Sequence, residues 1–212
     1  MRKQSAVLVA SFLCCTAGAF AGPITYGVIV DTSSISSTAG SLDFNFNPGP
    51  LVSQAATLQI LGFSSDGALA GSPTLTGDVA GALPGLLTFD NGTGFNDYFE
   101  GFTFGSTLSF QVSLDGAALN SPDGTSSSGS TFAFSMFSDA DGTVPVMTSD
   151  TTNGFAFTVD VNLDGTTSVT NFSTRTGVSP LTSAVPEPGG YALFGTVIVL
   201  LGALRFRRQI AF

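Results

Sequence analysis

The side chains able to do chemistry in this 212-residue chain are almost all carboxylates. The sequence contains no histidine, and no lysine follows Lys3. The usual bases for a serine or threonine nucleophile are therefore missing, and a His-ligated zinc or iron site is excluded. Both cysteines, Cys14 and Cys15, lie in an N-terminal apolar segment, so the rest of the chain has no thiol nucleophile, thiolate ligand or disulfide. What remains is oxygen chemistry: cation coordination, or acid/base work by paired carboxylates. Asp139-Ala140-Asp141-Gly142-Thr143 places alternating acids before a glycine, a pattern that lets one loop offer several oxygens to Ca²⁺. A plain turn is the favoured reading, with Asp139 and Asp141 as the candidate metal ligands of the alternative. The segment is not an EF-hand, because Thr143 stands where a third acidic ligand belongs and the twelfth position is Asp150, not glutamate. Asn96-Asp97-Tyr98-Phe99-Glu100 reads either as a ligand cluster or, the favoured reading, as a solvated strand edge. A glycosidase-type pair of Glu100 with an aspartate is formally available. Nothing marks such a pair, and only Tyr26 and Tyr98 offer polar-edged rings there. No catalytic residue and no cofactor is assigned, Ca²⁺ being the one ion the acids suggest.

Charge placement narrows the partners. The six basic residues are Arg2, Lys3, Arg175, Arg205, Arg207 and Arg208. Residues 22–184 keep one of them against fourteen acids, a net charge of −13. Such a surface repels phosphate backbones, so nucleic acid is not a partner, and anionic headgroups are disfavoured for the same reason. The charge suits solubility outside the cell and loose attraction for divalent cations.

Those acids must be positioned by β-structure. Leu42 to Asn47 alternates strictly, with Leu42, Phe44 and Phe46 on one face. Leu108 to Asp115 does the same, as do Phe132 to Phe137 and Phe155 to Asn162, and Ile24 to Val30 is rich in β-formers. Alternation of this kind predicts one buried and one wet face. Weaker strands are expected at 56–63, 86–89, 98–104 and 168–172. Asn-Gly and Asp-Gly pairs separate the runs, and Leu163-Asp164-Gly165 predicts a hairpin. Nine or ten strands at this spacing predict an all-β antiparallel β-sandwich, jelly-roll-like, over residues 22–172. Its core is expected to be built on phenylalanine, of which the chain has 20, with no tryptophan. Residues 120–130 read as a loop and 173–184 as a polar linker.

Two targeting segments flank this body. Met1-Arg2-Lys3-Gln4 is a positive n-region, Ala6 to Cys15 an apolar h-region, and Ala19-Phe20-Ala21 an A-x-A site, so residues 1–21 read as a signal peptide cleaved after Ala21. At the other side, Val185-Pro186-Glu187-Pro188 is followed by an uncharged run from Gly189 to Leu204 and then Arg205-Phe206-Arg207-Arg208. The prolines fix φ and hold this strip extended, ready for the groove of a processing enzyme. A helix over Gly189 to Leu204 is roughly 24 Å long. Phe206 and snorkelling of Arg205, Arg207 and Arg208 would let a helix at about 189–206 span the bilayer, with the arginines as a cytoplasmic stop-transfer signal.

The three parts in this order resemble the PEP-CTERM sorting signal (residues 185–208) of surface proteins of Gram-negative bacteria. The resemblance implies that an exosortase, a membrane-embedded cysteine peptidase, recognises Pro186-Glu187-Pro188 and processes the tail. It covers only about the last 27 residues. Gln209-Ile210-Ala211-Phe212 extends past the arginines, a departure from the pattern. The expected route is through the Sec translocon and signal peptidase, with an inner-membrane precursor and then a cell-surface or extracellular product. The function this suggests is structural or interactive, in the setting of a biofilm or extracellular polysaccharide. The alternative is a glycan- or calcium-binding module delivered by the same route, and a hydrolase comes last.

Overall fold

The structure, a computed structural model, describes residues 22–181. The expected signal peptide with Ala19 and Ala21, the sorting motif and the expected transmembrane helix lie outside those residues. Among the described residues no helix is long and apolar enough to cross a membrane.

Two antiparallel sheets carry the fold. The first has the order β13-β1-β9-β3-β7-β6. Its strands are β1 (Ile24–Asp31), β3 (Thr57–Ser65), β6 (Val79–Gly81), β7 (Leu87–Asp90), β9 (Thr107–Asp115) and β13 (Thr176–Leu181). The second has the order β12-β11-β10-β2-β8-β4, with β5 also on β8. It is made of β2 (Ala39–Pro48), β4 (Ala68–Leu69), β5 (Thr74–Thr76), β8 (Asp97–Thr103), β10 (Ser130–Phe137), β11 (Phe155–Val161) and β12 (Thr167–Asn171). One helical turn, α1 (Ala117–Asn120), follows β9.

Alternation explains the packing. Tyr26, Val28 and Val30 of β1, and Leu108, Phe110, Val112 and Leu114 of β9, point into one core. They meet Leu42, Phe44 and Phe46 of β2 and Phe132, Phe134 and Met136 of β10. The centre is aromatic: the Phe44 ring lies 5.2 Å from Phe110 and 4.8 Å from Phe134, and Phe110 lies 5.1 Å from Phe134. Tilted and edge-on contacts of this kind add about 0.5–1.5 kcal/mol per pair beyond area burial.

Three expectations change. First, β10 is not wet on one side: Ala133, Ser135 and Phe137 are buried as well. The loop of residues 138–154 folds back over that face, with Val146 N–H bonded to Met136 O at 2.9 Å and Pro145 bridged to Phe137. Second, residues 173–184 are not simply a linker, because β13 pairs with β1 from Thr25↔Leu181 to Val30↔Thr176. The Thr-Gly-Val-Ser-Pro-Leu composition looks like a spacer, but an edge strand tolerates proline and polar residues. The sandwich therefore reaches Leu181, not 172. Third, thirteen strands are found among the described residues, because β4, β5 and β6 are too short to show a period.

The predicted hairpin is present. Asn162 and Thr166 close the β11–β12 turn, Asp164 accepts the Thr166 amide at 3.0 Å, and Gly165 takes the positive φ of 80° that the turn requires.

Candidate functional site

The loop that offers Asp139 and Asp141 as candidate ligands uses its first acid on itself. Asp139 accepts the Thr143 hydroxyl, the Thr143 amide at 3.0 Å and the Val144 amide at 3.1 Å. These bonds, the Thr143 hydroxyl foremost, hold its carboxyl below the usual range. Asp141 is exposed. Gly142, at φ +69°, carries the loop against the rings of Phe99 and Phe137, and the Asp139 carbonyl accepts Ser41 Oγ at 2.9 Å. Among the described residues no group of three or more Asp, Glu, His or Cys is placed to hold a metal ion.

Other aspartates do the same work. Asp123 accepts the Thr125 and Ser126 amides at 2.8 Å, which pull its carboxyl down to about 2. Asp66 accepts the Ser106 and Thr107 amides at 2.9 Å and ties the β3–β4 turn to the β8–β9 turn. Much of the acidity is thus turn chemistry. Arg175 gives its guanidinium to Asp31 at 2.8 Å, while the Asp31 amide bonds the Arg175 carbonyl at 2.9 Å. Both side chains are about half exposed, so solvent screens the ion pair and the backbone bond does more of the tethering.

β8 is not a solvated edge. It lies between β2 and the short strands β4 and β5, and its alternation sends Tyr98, Glu100 and Phe102 into the core. Glu100 is 1% exposed, with Oε1 accepting the Gly71 amide at 2.8 Å and Oε2 accepting the Tyr98 hydroxyl. Tyr98 Oη in turn accepts the Leu83 amide at 3.1 Å. Burial, with the Glu100 bond second, pushes the Tyr98 phenol well above its usual range. Asp97 faces the other side of the sheet. Glu100 and Asp97 are therefore separated by the sheet itself and cannot flank one glycosidic bond.

The outer face of β8, β2 and β10 does collect acids. Asp97 stands directly opposite Asn45, and Asp43 directly opposite Ser135. Asn45 Nδ2 donates to Asp43 Oδ1 at 3.0 Å. The Asp43 and Asp97 carboxyl groups lie near enough to affect each other's titration. Burial, then the neighbouring Asp43 carboxyl, push Asp97 up to about 8, and burial also raises Asp43. Asp97 Oδ1 and Ser135 Oγ are buried without a hydrogen-bond donor or acceptor from the protein. This cluster, which residue spacing did not suggest, joins positions far apart in the chain. The only local sign was an acid on the outward face of the alternating run 42–47.

Among known protein families, curated proteins and solved structures, none matches this chain.

Proposed function

We propose that the chain is an exported cell-surface or extracellular-matrix protein, delivered by the N-terminal signal and processed by an exosortase at Val185-Pro186-Glu187-Pro188. The observation that carries this reading is a coincidence of boundaries. The described strands run from Ile24 of β1 to Leu181 of β13. They begin just after the proposed cleavage at Ala21 and stop just short of the sorting motif. A cysteine-free body whose acids staple their own turns suits life outside the cell. The order β1-β9-β3-β7 in one sheet and β2-β8-β4 in the other supports a jelly roll as the finer architecture. The role is structural or interactive, with extracellular polysaccharide as the partner class, and not catalytic.

The test is to replace Pro186 and Pro188 with alanine and follow the tail in the native host by mass spectrometry. The expected outcome is a chain that keeps its tail and stays with the inner membrane. Normal tail removal from the double variant overturns the reading.

A further inference from the structure

We propose that the free edge of β12 is a self-association surface, on which a second copy of this chain pairs its own β12 in antiparallel register about a two-fold axis at Val169. The surface belongs to the sandwich and does not depend on how the protein is sorted.

The first ground is the direction of the backbone groups. β12 pairs with β11 from Phe157↔Asn171 to Val161↔Thr167. Just beyond the two ends of that ladder, the Phe172 amide bonds the Ala156 carbonyl and the Asn162 amide bonds the Thr166 carbonyl, both at 2.9 Å. Opposed residues of an antiparallel pair alternate between bonded and non-bonded. Ser168 and Thr170 therefore turn their backbone groups to β11, and Thr167, Val169 and Asn171 turn theirs outward. Among the described residues nothing pairs with that outward row.

The second ground is that this edge lacks the guards the others have. Sheets blunt their edges with proline, charge or very short strands. Across the second sheet from β12 stand β4 of 2 residues and β5 of 3, and the first sheet ends on β6 of 3. At the other edge of the first sheet, the bond from the Asp31 amide to the Arg175 carbonyl sets the alternation, so β13 turns Thr176, Val178 and Pro180 outward. Pro180 has no N–H to offer, and the Asn171 amide covers the Thr176 carbonyl at 2.6 Å. β12 is Thr-Ser-Val-Thr-Asn, 5 residues without charge, proline or glycine, and all but Thr167 are exposed.

The third ground is self-complementarity, which selects a second copy as the occupant. An axis at Val169 sets Val169 against the partner's Val169, Thr167 against the partner's Asn171 and Ser168 against the partner's Thr170. Apolar meets apolar and polar meets polar, and no like charges are opposed. Each of the three outward positions falls in a bonded pair that exchanges two hydrogen bonds, about six in all. Asp164 precedes the strand, and Arg175, the one base of residues 22–181, follows it. Antiparallel pairing sets the acidic end of one strand against the basic end of the other. The edge is only about 17 Å long, so the contact falls in the weak, transient class below about 1,200 Å².

The experiment is sedimentation velocity of the full chain in mild detergent over a micromolar-to-millimolar series, with residue-resolved amide exchange on the same samples. Salt is held at about 0.15 M, where repulsion between two acidic bodies is screened beyond about 8 Å. The expected result is a shift from monomer to dimer with concentration. Exchange at Thr167, Val169 and Asn171 should slow several-fold in the concentrated sample, while Ser168 and Thr170 stay as they were. Val169→Pro removes an outward donor and no bond to β11, and Val169→Lys adds an edge charge with every backbone group intact. Both should remain monomeric. Ser179→Lys, the same charge on β13, should associate as the parent does. A monomer at every concentration, or a dimer that Val169→Lys leaves unchanged, overturns the proposal. Loss of the dimer in Ser179→Lys alone would also overturn it, placing the contact on β13 instead.

Discussion

Tyr98 donates its phenol hydrogen to Glu100 inside the sandwich while accepting the amide of Leu83, so one side chain fastens a buried carboxylate to a distant segment. Through Glu100 the same chain of bonds reaches Gly71. The long excursion between β3 and β8 is thereby pinned at two points to a single strand.

Tyr98→Phe keeps the ring but strips Glu100 Oε2 and the Leu83 amide of their partner. Each group left bare costs about 1–3 kcal/mol. The urea midpoint should fall with an unchanged slope. Glu100→Ala should be worse than Glu100→Gln, which keeps an acceptor for one bond.

The Asp43–Asp97 pair sets the sign of a pH dependence. Both carboxyls have raised values in the fold, so between about pH 4 and pH 8 the folded chain binds more protons than the unfolded one. Stability is then fully present below the unfolded value near 4 and declines as pH rises towards 8. Lowered acids such as Asp123 and Asp139 act oppositely, contributing stability that is lost as pH falls below about 4. Melting temperature in EDTA should therefore be highest in mild acid. Asp97→Asn should flatten the decline between pH 5 and 8, and an unflattened profile would show that the pair does not cause it.

Phe44 sits where both sheets contribute rings. Phe44→Ala removes its contacts with Phe110, Phe134 and Tyr98 and should cost about 3–5 kcal/mol. Chemical denaturation measures this directly.

Gly142 holds the 138–154 loop against the second sheet at φ +69°, where an added Cβ would lie 2.8 Å from the Phe99 ring. Gly142→Ala should destabilise by about 1–2 kcal/mol from backbone strain alone. Amide exchange in residues 138–146 should accelerate more than in β1.

Period-2 patterning marked the long central strands because each has a full apolar face: Leu42, Phe44 and Phe46 in β2, or Leu108 to Leu114 in β9. It missed β13 because Thr176 to Leu181 has little to bury and gains its place by pairing with β1. It also misjudged Ser135, placed on a wet face by its neighbours Phe134 and Met136, because the loop that buries it returns later in the chain. The acid cluster was illegible for a related reason. Positions 43, 97 and 135 meet only through strand order, and local alternation does not determine which strands become neighbours. The Asp139 loop, by contrast, was visible as a turn, and a turn is what its acid serves.

The lone basic residue of the described body has a consequence for resistance to proteolysis. Between Gly22 and Leu181 a protease that cuts after lysine or arginine meets one candidate bond, Arg175–Thr176. Its arginine is tethered to Asp31, and its carbonyl is held by the Asp31 amide at the start of β13. Proteolysis needs a local opening before an extended segment can enter an active site. Even a completed cut would free only the last strand, leaving β1 to β12 on one unbroken chain. A body with this single weak point offers trypsin-like enzymes little to cut.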